Sequence, residues 1–472
     1  MLVAGGGASP ASAHAAAVLV LGRQGRATVR DNPFVTAPAV APTRSRLGAR
    51  LVTSGPPSAA RTVRQTLRRL RETGAITAAA YDRYLSIYSR SVAAARRLHG
   101  TRAVELWAVI VNVREMAAAG TLTPARLPAV FVTLARNHQW WTRGPLLAPY
   151  QRVEFAGSQL VWEYYPGQGI ELQVLATFST AVALCQAGPA HYSAMAALLG
   201  EMVPLATHRG GGLTWEYYFH FDGGSPPWTS AMSQGTALQA LACAYRAFHE
   251  HSYLMRAHRA LAIFTVPPPV GVAIHTRRGG WYLQYSFASH TYILNAFLQS
   301  LIGLYAYAHV SADPLAQRLF SAGDAVARAE VPHFDTGAWS LYQPGVEDTL
   351  SYHLLVTQFL ARLCAITGAR VYCVTARHFR EYLKTPPALT LLTHSGVAGR
   401  PLKVRFRLSK ISYVKMVVRH GGRTVFRASA EFAYGTRGFA LPASKAGSYT
   451  ISLAATDLAG NFTRVTGTVT VS

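Results

Sequence analysis

From about residue 60 to about residue 384 one pattern recurs: a helical run with an apolar face, a short polar break, and a second helical run. "AARTVRQTLRRLRETG" is followed by "TAAAYDRYLSIYSRSVAAARRLHG", and "RAVELWAVIVNVREMAAAG" by "TPARLPAVFVTLARNHQWW". "GIELQVLATFSTAVALC" precedes "HYSAMAALLGEMVPLA", and "SQGTALQALACAYRAFHE" precedes "SYLMRAHRALAIF". The last two pairs run from "TYILNAFLQSLIGLYAYAHV" to "RVYCVTARHFREYLK". A helix with one apolar stripe must bury it against a neighbour. Six hairpins in series predict a mainly α fold, an (α/α)6 toroid with inner and outer helices alternating around an axis. Thr123 and Pro124 read as N-cap and first helical residue of the fourth helix.

After "LKTPPALTL" the period changes from helical to alternating. "PLKVRFRLS", "VKMVVRHGGRTVF" and "GSYTISLAATDLAGNFTRVTGTVTV" read as strands, with His420-Gly421-Gly422 as a hairpin signal. This predicts a small C-terminal β-sandwich of immunoglobulin-like type over 388–472. Residues 1–58 are rich in Ala, Gly, Pro, Ser and Thr and read as a signal or disordered segment. Ala13-His14-Ala15 resembles a leader cleavage site with a truncated start, so the expected location is secreted or cell-surface. The helical domain is bounded at 59–385.

Four of the six hairpins are preceded by loops dense in Tyr, Trp, Gly and Pro: "WEYYPGQG", "GGSPPWTSAMSQG", "GGWYLQYSFASH" and "DTGAWSLYQPG". In a toroid the inner helices all start at one end, which brings four such loops to one mouth. Aromatic faces stack on sugar rings and phenol hydroxyls bond to them, so the phase of the loops points to a sugar-binding cleft. Long loops also carry such residues for their own packing; four in phase favour the cleft.

The formal net charge is +25, nearly all of it Arg, since Lys occurs only from Lys384 onward. Such a charge favours a polyanion. The basic residues form no run, which argues against nucleic acid. No apolar run reaches the length of a membrane span. Cys185, Cys243, Cys364 and Cys373 have apolar flanks and no C-x-x-C spacing, and read as buried free thiols. No metal-ligand spacing is visible and no cofactor is implied. The expected partner is an anionic, uronate-containing polysaccharide, and a homodimer is allowed for.

"WTSAMSQGTALQALACAY", "YILNAFLQSLIGLY", "PHFDTGAWSLY" and "SYHLLVTQFLARL" in this layout resemble the C-terminal catalytic domain of the D-glucuronyl C5-epimerases, over about 160–384. That family converts glucuronate to iduronate within heparosan-type chains. The resemblance implies the same activity and no cofactor. It carries Tyr285 and Asn295 onto a family Tyr and Asn, Tyr342 onto the Tyr of the D-T-G motif, Tyr352-His353 onto a Tyr-His pair, and Tyr164-Tyr165-Pro166 onto an aromatic-Tyr-Pro segment. Gln284 stands where the family has Glu and Gly345 where it has Arg, which removes a charged pair.

A C5 epimerase removes a proton next to a carboxylate and returns one to the opposite face, so it needs two proton-transfer groups and donors for the growing charge. Tyr285, Tyr342 and Tyr352 are the expected catalytic residues, with Tyr285 and Tyr352 as the two-face pair. Gln284 is able only to donate, and Asn295 joins it. Tyr164, Tyr165, Trp228, Gln234, Trp281, Arg277 and His353 complete the expected substrate contacts; Trp228 and Trp281 serve either as sugar platforms or as packing. Arg277, Arg278 or Arg209 supplies the cation missing at Gly345. A polysaccharide lyase, which abstracts the same proton and expels the 4-O group, is the first alternative, and His290 beside Tyr285 keeps it open. A catalytically silent binder of anionic glycans is the second. A glycoside hydrolase would draw on Asp222, Asp335, Glu347 and Asp348.

Overall fold

The computed structural model describes residues 15–37, 61–442 and 445–472. Among them twelve α-helices follow in six consecutive pairs: α1 (Val63–Glu72) and α2 (Ala78–Arg97), α3 (Gly100–Ala118) and α4 (Leu127–Arg143), α5 (Val174–Gln186) and α6 (Tyr192–Met202), α7 (Ala231–Phe248) and α8 (His251–Ala260), α9 (Leu294–Ser311) and α10 (Pro314–Glu330), α11 (Leu350–Thr367) and α12 (Arg370–Tyr382). Hydroxyl caps start several of them: Thr62, Thr77, Ser230 and Thr349 each accept from the N–H three residues on. Thr123-Pro124 does not start α4. Those residues form a turn closed by Arg126 N–H on the Thr123 carbonyl, and the helix begins at Leu127 with Pro128 in its first turn.

The described residues divide into two compact units, one over 15–37, 61–291 and 299–324, the other over 292–298, 325–442 and 445–472. The first contains a five-stranded sheet in the order β2-β1-β3-β4-β5, with β1 at Ala15–Leu21, β2 at Ala27–Thr36, β3 at Arg152–Phe155, β4 at Trp162–Tyr165 and β5 at Gly169–Leu172. This corrects the reading of 1–58 as a leader or disordered: 15–37 form a hairpin whose first strand runs parallel to β3, Leu19 opposite Val153. Val18, Leu21 and Val35 are thereby buried, and burial of each such side chain is worth about 1.5–3 kcal/mol. Residues 1–14 and 38–58, with the rest of the leader expectation, lie outside the described residues.

The aromatic loops are in large part hairpins. β4 and β5 lead into α5, β6 (Thr207–Arg209) and β7 (Gly212–Thr214) come before α7, β8 (Ala273–Thr276) and β9 (Gly279–Tyr282) before α9, and β10 (Leu341–Gln343) and β11 (Val346–Glu347) before α11. Within the first unit α7 and α9 cross so closely that a Cβ on Gly303 would stand 1.9 Å from the Gly235 carbonyl oxygen.

The four cysteines are not free thiols. Cys185 of α5 is bonded to Cys243 of α7, and Cys364 of α11 to Cys373 of α12, with Cα atoms 6.4 and 4.9 Å apart. Apolar flanks mark helix interiors but do not say which second sulfur a neighbouring helix brings. One helix, α11, is long and apolar enough by composition to cross a membrane, contrary to the sequence reading; His353, Val356, Thr357, Leu360 and Leu363 on it are buried within its own unit.

The second unit joins α11 and α12 to two sheets. One has the order β12 (Leu389–Leu391), β14 (Pro401–Leu408), β17 (Gly435–Pro442); the other has β13 (Ser395–Gly396), β19 (Phe462–Val471), β18 (Gly447–Asp457), β15 (Ser412–His420), β16 (Arg423–Phe432). Alternate residues of both, among them Val404, Phe406, Val414, Met416, Ile451, Leu453 and Val469, form one core. The β15–β16 turn is Gly421-Gly422, with φ of 53° and 76°, the left-handed pair that a two-residue hairpin requires.

Candidate active site

Tyr285 sits in the segment between β9 and α9. Backbone bonds fix this segment to the start of α7: Ala231 N–H donates to the Leu283 carbonyl (3.0 Å), Ser286 N–H to the Thr229 carbonyl (2.9 Å), and Thr229 N–H to Ser286 Oγ (3.1 Å). The Tyr285 ring is half-buried, stacked on Phe287 at 5.3 Å and edge-on to Trp228 at 5.8 Å, with Phe221 at 5.6 Å. Gln284 is half-buried, and its Oε1 is enclosed with no hydrogen-bond partner among the described residues.

The aromatic cluster continues to a polar edge in which sequence reasoning assigned Trp228 and Tyr165 but not Tyr217, Gln173, Arg152, Glu163 or Glu171. Trp228 is buried, stacked on Tyr217 at 4.2 Å, with its indole N–H on the Phe219 carbonyl (2.8 Å). Tyr217 hydroxyl lies 2.7 Å from Ser233 Oγ and donates to Gln173 Oε1 (3.1 Å); Gln173 Nε2 donates to Tyr165 hydroxyl (2.7 Å). Behind them Arg152 pairs with Glu163, and Glu163 stands opposite Glu171 in the β4–β5 register. Burial pushes the Glu163 and Glu171 carboxyls up, and pushes Tyr217 up to about 12. The signal was a strand period: in "WEYYPGQGIELQ", Glu163, Tyr165, Glu171 and Gln173 alternate, which puts them on one face of a hairpin.

Several expected contacts have other roles. Tyr164 faces the opposite side of β4, where its hydroxyl donates to Glu105 (2.8 Å). Gln234 is fully buried and ties the Trp215 carbonyl (2.7 Å) to Thr229 Oγ1 (3.1 Å). Ser230 caps α7 and Gly235 admits α9, so the Ser-Ala-Met-x-Gln-Gly stretch is a packing motif. Trp281 is buried and offers no open platform. Arg209 is consumed by Glu216 (2.7 Å) and by the carbonyls of Pro227, Pro269 and Val270. Arg277 and Arg278 are exposed at the β8–β9 turn, and His290 is exposed.

In the second unit Tyr342 of β10 and Tyr352 in the first turn of α11 face each other, ring centroids 5.0 Å apart at 59°. Tyr342 is buried and Tyr352 half-buried; Asn295, in the first turn of α9, is buried. Gly345 forms the exposed β10–β11 turn with φ of 78°, the left-handed conformation that favours glycine. His353 is not a substrate contact. It is fully buried: Nε2 donates to the Phe379 carbonyl (2.8 Å), so Nδ1 accepts, and the Ser340 hydroxyl lies 2.7 Å from it and 2.5 Å from Asp348 Oδ2. The Ser340 hydroxyl donates to Asp348, and Nδ1 also accepts from the Ser340 N–H (3.4 Å). Burial pushes the Asp348 carboxyl up to about 7 and lowers His353 to about 4.

Two further hydrolase candidates are committed as well. Asp335 accepts from Tyr382 hydroxyl (2.9 Å) and Gly337 N–H (2.9 Å), and Glu347 from Ile411 N–H (2.7 Å) and Tyr434 N–H (2.8 Å). No group of three or more His, Cys, Asp or Glu among the described residues is arranged to hold a metal.

The family described as D-glucuronyl C5-epimerase C-terminus matches residues 209–381. A D-glucuronyl C5-epimerase of Caenorhabditis elegans is 32% identical over 130 residues, 25% of this chain and 21% of the relative. An uncharacterized protein of Methanocaldococcus jannaschii is 26% identical over 177 residues, 36% of this chain and 58% of the relative. The chain thus spans about a fifth of the first relative and somewhat over half of the second. Among solved structures, the cellobiose 2-epimerase of Spirochaeta thermophila aligns with 60% of this chain and 73% of its own, at 13% identity and a TM-score of 0.36. Residues 209–381, which hold Tyr285, Asn295, Tyr342 and Tyr352, are thus similar to the C-terminal part of the D-glucuronyl C5-epimerases.

Proposed function

We propose that this chain is a carbohydrate epimerase that inverts C5 of D-glucuronate residues, to L-iduronate, in an acidic polysaccharide. The observation that carries this reading is the Tyr342–Tyr352 pair, 5.0 Å apart inside the segment that matches the family. Loss of the C5 proton sends charge onto the neighbouring carboxylate, and an enzyme lowers that barrier with donors aimed at the charge. A phenol, with an ordinary value near ~10, is an acid at neutral pH and a base only beside cations. Tyr285, Tyr342 and Tyr352 are the proton-transfer groups of the proposal, and Gln284 and Asn295 its donors to carboxylate or hydroxyl. Arg277 and Arg278 are the cations offered to the polymer.

The six helical pairs are proposed to close as an (α/α)6 toroid and the C-terminal sheets to be immunoglobulin-like. Two disulfides support a secreted or cell-surface location, since such bonds persist in oxidising compartments. The formal charge of +25 supports a polyanionic partner.

The test is incubation of the protein with heparosan and other uronate polymers. Iduronate signals by NMR, with no rise in ultraviolet absorbance, support the epimerase. Absorbance from an unsaturated uronate makes it a lyase, and binding without either product makes it a silent glycan binder.

A further inference from the structure

Two buried charged side chains join the β-sandwich of the second unit to its last helical pair. Lys410, in the β14–β15 turn, has three ammonium protons and three acceptors: Asp457 Oδ2 (2.5 Å), the Tyr382 carbonyl (2.7 Å) and the Thr385 carbonyl. The Tyr382 carbonyl closes α12, where the last turn leaves C=O groups without helical partners and the helix dipole favours a cation, and the Thr385 carbonyl lies three residues beyond it. Asn461 takes the Leu383 carbonyl in the same way (2.9 Å). The Lys410 ammonium also stands 5.3 Å over the Trp339 ring. From the other direction Glu347, at the end of β11, receives Ile411 N–H and Tyr434 N–H of the sandwich on its two oxygens. Lys410 is 1% exposed and Glu347 4%. A module that served only as a spacer would need neither contact.

The segment held between these anchors, 339–347, carries Tyr342. At its start Trp339 stacks on His353 and donates its indole N–H to the Asp348 carbonyl (2.9 Å), and the Ser340 hydroxyl lies 2.7 Å from His353 Nδ1. His353 is the neighbour of Tyr352. The sandwich therefore braces, through Lys410 and Trp339 at one end and Glu347 at the other, the strand that presents Tyr342 to Tyr352.

We propose that the C-terminal β-sandwich is a working part of the site, with Lys410 and Glu347 as positioning residues that set the Tyr342–Tyr352 geometry. This rests on the reading of those two phenols as proton-transfer groups. A displacement of about 1 Å at reacting groups costs on the order of 100-fold in rate, so a loosened brace is read in turnover rather than in substrate binding.

The experiment compares Glu347→Gln and Lys410→Met with Arg427→Gln, an exposed position of β16, in the full chain. Near-ultraviolet circular dichroism first confirms a folded state; should Lys410→Met fail to fold, Glu347→Gln carries the test. With a uronate polymer, kcat is expected to fall at least about tenfold in the first two variants with KM within about twofold, and amides of 339–347 to exchange faster by a similar factor. Arg427→Gln changes neither. Unchanged kcat, or a fall in kcat with unaltered amide protection of 339–347, overturns the proposal. If the unmodified chain turns over no uronate polymer, the epimerase reading fails, and amide exchange alone still decides whether the sandwich braces the strand.

Discussion

Trp339 lies flat on His353, ring centroids 3.8 Å apart and planes 9° from parallel. The stack seals an imidazole whose two nitrogens are already engaged by Ser340 and Phe379. His353→Ala removes the stack and leaves the Ser340 N–H and the Phe379 carbonyl short of partners, at a cost of about 2–4 kcal/mol. Thermal unfolding checks this. A variant of unchanged stability with a raised KM would return His353 to the role of substrate contact.

Asp348 and Glu347 give the fold a pH dependence with a definite sign. Burial pushes both up to about 7, above the unfolded values near ~4. The folded state therefore binds more protons than the unfolded chain between those limits, so their contribution is full below about pH 4, is lost as pH rises through about 7, and is flat above. Glu163 and Glu171, also raised by burial, act in the same direction. The melting temperature is expected to fall from pH 5 to pH 7.5, less steeply in Asp348→Asn. A steeper fall in that variant would contradict the assignment.

Gly303→Ala tests the α7–α9 crossing. The added methyl meets the Gly235 carbonyl oxygen at 1.9 Å, a contact only backbone movement relieves. Overpacking of this kind costs about 1–3 kcal/mol. Chemical denaturation should show a lower midpoint, whereas Gly200→Ala, exposed in α6 with open space at its Cβ position and an ordinary helical backbone, should lose less; equal effects would show that the crossing yields freely.

The same crossing shows what was legible in the sequence. Helical period located twelve helices, and strand alternation with Gly421-Gly422 located the C-terminal sheets. The motif around Gln234 and Gly235 was equally visible, but a string of residues does not tell whether a side chain faces a ligand or the next helix. Gln234, Tyr164, Trp281 and His353 all face protein. The pairing of β1 with β3 and of Cys185 with Cys243 depends on contacts across 134 and 58 residues, beyond any local period. Arg152, Glu163 and Glu171 were missed because an aromatic-rich hairpin was read as a loop.

Tyr285 separates chemistry from recognition. Its ring is packed on Phe287 and Trp228, and Phe retains that packing while losing the hydroxyl. Tyr285→Phe is expected to lower kcat by about 10²–10⁴ and to leave glycan affinity within a few fold, since a proton-transfer group acts in the transition state. Calorimetric titration against kinetics checks it; parallel losses of affinity and rate would make Tyr285 a binding residue.

The most direct measurement is deuterium incorporation at C5 of a uronate polymer in D2O, followed by NMR for the unmodified chain, Tyr342→Phe and Tyr352→Phe. The account predicts C5 deuterium and iduronate with the unmodified chain and at least about a 100-fold loss in one or both variants. No exchange on any uronate polymer, or exchange at full rate in both variants, would contradict it.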